Sequence, residues 1–189
     1  MRRLYFGERG VDARSCTGAR VSDQQSTLLH EAGHIVGALL AGHHIEVVRL
    51  GGSERNTNYV GTTVLDWAAS PDVDYYGHLI TVLMGPMAEG DPPPGWPPLP
   101  HVDGAPDEHV AARLVSYLSL SKSEYVLAVA LAEHWLEDPL VKASIAKLAH
   151  ALGEAGSLTD RTIRDVLGPG LIGWFEMRPR PEGGQLCGN

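Results

Sequence analysis

The 189 residues carry 15 basic and 23 acidic side chains, a formal net charge of −8, and 43% of them are hydrophobic. That length suits one domain of about 150 residues with appendages, and the apolar fraction excludes wholesale disorder. The acidic balance argues against nucleic acid as a partner, because its recognition needs a basic footprint.

The N-terminus, Met1 to Arg9, has charges but no apolar core of signal-peptide length. The longest apolar stretches, 35–41 and 79–88, are too short to span a bilayer. A cytoplasmic protein with no membrane contact is therefore expected. Cys16 and Cys187 fit no metal-ligand spacing. They read as two free thiols, with a bridge between them as the alternative.

Residues 1–20 are Arg- and Gly-rich without periodicity and read as an arm. Ser22 and Gln25 have the form of a capping box, which predicts a helix start. Leu28, Ala32, Ile35 and Leu39 recur at helical spacing, and Gly42 marks the stop. Ile45–Leu50 and Tyr59–Leu65 are strand-like, with Gly51-Gly52 as a break. They predict a two-stranded ribbon with a long polar connection. Pro71-Asp72 predicts the start of a helix that runs to Glu89. The segment 91–103 is a proline-rich loop, since the prolines crowding its first ten residues exclude helix and central strand alike. Further helices are predicted over Asp107–Leu118, Ser123–Glu137, Leu140–Leu152 and Leu158–Leu167. Gly and Pro then dominate, so 168–189 reads as an irregular tail in which Trp174-Phe175 docks on the body or on a neighbouring subunit. The predicted fold is mainly α, about six helices with a small two-stranded β-ribbon.

His30-Glu31-Ala32-Gly33-His34 is an H-E-x-x-H sequence on the most regular helix of the chain. Residues four apart stand one turn above each other, so both imidazoles can share one ion. Zinc held by two histidines needs a third protein ligand and leaves a fourth position for water, whose pKa it brings down to about 7. Glu31, beside the first ligand, can act on that water as general base. The third ligand is open on these grounds. The metzincin extension fails because Leu40 stands where its last histidine would be, and His43 and His44 sit at a helix end, where the dipole favours them. Glu89, Asp103 and Asp107 are the candidates. His78, His101 and His109 are candidate supporting groups, each with the plainer reading of a polar surface residue.

These residues resemble the peptidase domain of the FtsH-type ATP-dependent zinc metalloproteases. HEAGHIVGALL over His30–Leu40 is similar to the zinc helix of that family, and the likeness continues in order over 22–167. Tyr59-Val60-Gly61-Thr62-Thr63 resembles the strand that follows, Leu83 to Glu89 a helix ending Ala-Glu, and Gly104-Ala105-Pro106-Asp107 the segment carrying the third ligand. The chain departs from the pattern at Pro86 and Gly90, where the family has arginine and glutamate. The resemblance implies His30, His34 and Asp107 as zinc ligands, Glu31 as base, Glu89 holding a ligating histidine from behind, and 21–167 as the metallopeptidase domain.

The expected activity is hydrolysis of peptide bonds in peptides or unfolded chains, and Tyr59–Leu65 reads either as an edge along which extended substrate is laid or as an ordinary core hairpin. The chain has no G-x-x-x-x-G-K-[ST] motif. ATP-independent action is thus expected, or a separate ATPase partner, with a homo-oligomer as a further expectation. One rival is a zinc-binding regulatory or interaction module with a vestigial site. Another is a processing protease for a single substrate.

Overall fold

Helical periodicity becomes six α-helices in the computed structural model, which describes residues 19–53, 56–66, 75–93, 95–96 and 106–178. The arm before Ala19, the Pro71-Asp72 start, Cys16, Cys187, His101 and Asp103 lie outside the described residues. Helix α1 spans Ala19–Ala41, α2 Tyr75–Glu89, α3 Pro106–Leu118, α4 Lys122–Glu137, α5 Pro139–Ala155 and α6 Asp160–Glu176. Strands β1 (His44–Ser53), β2 (Asn56–Asp66) and β3 (Ser157–Thr159) form one antiparallel sheet in the order β2-β1-β3. Among the described residues no helix is long and apolar enough to cross a membrane.

Several boundaries correct the sequence reading. The first helix is already formed at Ala19, so Ser22 lies inside it rather than capping it. Its stop holds: Gly42 takes φ 80°, a left-handed conformation that suits glycine. Gly51-Gly52 does not break β1, which runs to Ser53 and leaves only residues 54–55 before β2. The ribbon is also three-stranded. Leu158, expected in a helix, pairs with Val48 instead. Three residues are too few to show a period of two, so this strand was invisible to pattern.

The tail is the larger correction. The helix does break at Gly168 (φ 77°, ψ 163°), ahead of Pro169, but it resumes and runs to Glu176. Ile172 and Phe175 enter the core. Arg164 bridges the two halves, donating to Asp160 at 2.8 Å and Glu176 at 3.0 Å. Arg178 stacks over Trp174 and donates to Asp138 at 2.6 Å, and Asp138 also caps α5 through the Leu140 amide.

The core centres on α1 packed along α2, with α5 on another side of α1. Glycines let the first pair approach closely. A methyl at Gly33 would overlap the Met84 carbonyl and Ala88, and one at Gly37 would press on Thr81 and Met84. The proline-rich segment is anchored by Trp96, whose ring lies 5.5 Å from that of Tyr125.

If residues 168–176 are core rather than tail, Phe175→Ala should destabilise the protein by about 3–5 kcal/mol, as for a buried aromatic truncated in place. Urea titration measures this. A loss near zero would return the segment to an appendage.

Candidate metal centre

Helix α1 stacks His30 and His34 one turn apart, both buried, with rings 4.7 Å apart at 85°. Their Nε2 atoms lie 3.1 Å from each other. Asp107 enters from the first turn of α3, its Oδ2 2.7 Å from His30 Nε2 and 3.4 Å from His34 Nε2. The three ligand atoms fall within 4.8 Å of one another, so the group can hold a metal ion.

The far nitrogens are held outward. His34 Nδ1 donates to the Thr81 carbonyl at 2.8 Å. His30 Nδ1 donates to Glu89 Oε1 at 3.1 Å, and Ser26 donates to Glu89 Oε2 at 2.5 Å. These bonds assign the tautomers and turn both Nε2 atoms toward Asp107. Glu89 is thereby committed behind His30.

Charge makes the same demand. Burial alone lowers the His30 pKa, but hydrogen bonds to Asp107 and Glu89 and the nearby negative charges outweigh it and raise the pKa to about 9. Burial likewise raises Asp107, but His34 and His30 more than compensate and hold it well below the usual carboxylate range. In the metal-free protein a proton on His30 therefore supplies the cation that this cluster needs, and a metal ion would displace it. The donor set fits such an ion on structural grounds too. Asp107 Oδ1 is buried with no hydrogen-bond partner, and Gly85 leaves the space that the His34 ring fills.

Glu31 is 2% exposed and points from α1 toward β2. Burial raises its pKa, against the opposing pull of His34, His30 and a hydrogen bond from Thr63 Oγ1 at 2.6 Å. Gly61, two residues before Thr63, lies so close that any side chain there would overlap the Glu31 carboxylate. Sequence reasoning gave Thr63, Gly61 and Gly85 no role in the site. The signal available was a glycine and a hydroxyl two apart on one strand, hence on one face.

One histidine stands elsewhere than expected. His78 is buried, not a surface residue, and His43, just past the end of α1, is buried beside it with rings 5.8 Å apart at 83°. Burial, with His43 and His34 adding to it, lowers the His78 pKa to about 3, so it is neutral at pH 7. His109 is half-buried on α3.

Neither known protein families nor characterised proteins match the chain.

Two outcomes follow from the geometry. Asp107→Ala should almost completely abolish binding of an added divalent metal ion. Glu89→Gln should weaken it roughly 10–100-fold, both by titration calorimetry and metal analysis. In the metal-free protein, His30 is raised from 6.5 in the unfolded chain to about 9 when folded. Its stabilisation is then complete below pH 6.5 and lost as pH rises through about 9. The melting temperature should fall across that window in wild type and stay level in His30→Asn.

Proposed function

We propose that the chain is a zinc-dependent metalloendopeptidase that hydrolyses bonds in peptides or unfolded chains. The observation that carries this reading is the convergence of His30, His34 and Asp107 with a buried carboxylate, Glu31, next in sequence to the first of them. Two imidazole nitrogens and one carboxylate oxygen suit zinc, which in catalytic sites takes three protein ligands and keeps one position open. The FtsH-type resemblance of the zinc helix and of the Asp107 segment points the same way.

His30, His34 and Asp107 would hold the ion, and Glu89 and Thr81 keep the two rings turned toward it. When bound, the ion supplies Lewis acidity that polarises a carbonyl and makes water acidic near pH 7. Glu31 takes the proton from the attacking water and delivers it to the leaving amine. Its raised pKa makes it a stronger acceptor of the water's proton, and the carboxyl so formed is the donor that returns that proton to the leaving amine. The apolar burial around the cluster excludes competing water and strengthens each charge interaction inside it.

Glu31 also separates this reading from a regulatory module, because a purely structural zinc site has no use for a carboxylate there. Glu31→Gln should retain the metal and lower cleavage of an unfolded substrate such as casein by at least about 100-fold. Zinc-loaded wild type that cleaves no unfolded chain would overturn the proposal.

A further inference from the structure

Strand β2 lies against the first helix. Gly61 and Thr63 are two residues apart, so they face the same side of the sheet, and both are buried against Glu31. The two make different contributions. Gly61 lets the strand backbone lie directly on the carboxylate, a place that any β-carbon would occupy. Thr63 donates its hydroxyl to Oε2 at 2.6 Å. A threonine with no exposed surface usually satisfies its hydroxyl on nearby backbone. Thr81, equally buried, does so, bonding the Gly77 carbonyl one turn back. Thr63 instead reaches across to another element, 32 residues away in sequence.

We infer that Thr63 is the positioning residue for Glu31. The G-x-T step of β2 is a cradle that fixes the rotation of the carboxylate about its last bond. With Oε2 engaged by Thr63 and the group flat against Gly61, the carboxylate is set in one orientation before any substrate arrives. A general base gains most from such fixation, because a misplacement of about 1 Å can cost roughly 100-fold in rate. Thr63 is not a metal ligand in this arrangement, so its loss is expected in turnover and not in metal binding. The kinetic part of this inference rests on the hydrolase reading above. The grip of the strand on Glu31 does not.

The test is a pair of substitutions read in two ways. Thr63→Val keeps the shape and removes the donor, whereas Thr63→Ser keeps the donor. With zinc content matched, Thr63→Val should lower kcat roughly 10–100-fold with KM little changed, and Thr63→Ser should restore turnover. Independently of activity, melting of the metal-free protein should show coupling. Thr63→Val should lower Tm by roughly 2–6 °C in the wild-type background, and should cause no loss in Glu31→Ala, where the acceptor is gone. Additive losses overturn the inference whether or not the wild type cleaves peptides. Coupled losses with unchanged kcat in Thr63→Val overturn the positioning role. Coupled losses with an inactive wild type support the cradle and overturn the hydrolase reading alone.

Discussion

The close approach of α1 and α2 is the constraint on which the rest of the structure depends. Gly33 and Gly37 on one helix, with Gly85 and Ala88 on the other, remove the side chains that would hold the axes apart. Ridges and grooves ordinarily keep packed helices 8–10 Å apart, and small residues at the crossing set the near limit. This approach carries the His34 ring into the space over Gly85 and brings its Nδ1 to the Thr81 carbonyl. It also delivers Glu89, the last residue of α2, behind His30. The packing that stabilises the core and the hydrogen bonds that orient the imidazoles are one set of contacts.

The second organising fact is electrostatic. Glu31, Asp107 and Glu89 are all buried around two imidazoles. Buried charges are costly unless compensated, so this concentration of negative charge is stable only around a cation. Protonated His30 meets the need in the metal-free protein, and an ion bound there would compete with that proton. His78 marks the edge of this region. One turn from Thr81 on α2, it stays neutral and adds no charge of its own.

What the sequence disclosed follows from how each feature is encoded. Residues four apart on a helix are near neighbours by local geometry, so His30, Glu31 and His34 could be assigned without any tertiary information. Asp107 needed the family resemblance, since 73 residues separate it from His34 and spacing alone left Glu89 and Asp103 open. Thr63 and Gly61 depend on which face of β2 meets α1, a relation between elements that local pattern does not record. The six helices were legible because long amphipathic runs carry redundant signal. The third strand was too short to carry any, and Gly168 and Pro169 signalled an end where the chain only bends. Leucine, isoleucine and phenylalanine beyond that bend were the overlooked hint that helix resumes.

The sheet register has a consequence for the order in which these contacts can form. Val48 lies opposite Thr63 on one side and Leu158 on the other, so one transverse row joins the residue gripping Glu31 to the link between α5 and α6. All three are buried. The ligands at 30, 34 and 107 are complete well before residue 158 is synthesised, but the row that backs Thr63 is not. Contacts of such long sequence separation close late, because the loop entropy must be met first. A growing chain thus carries residues 30, 34 and 107 before it can complete the row that backs Thr63.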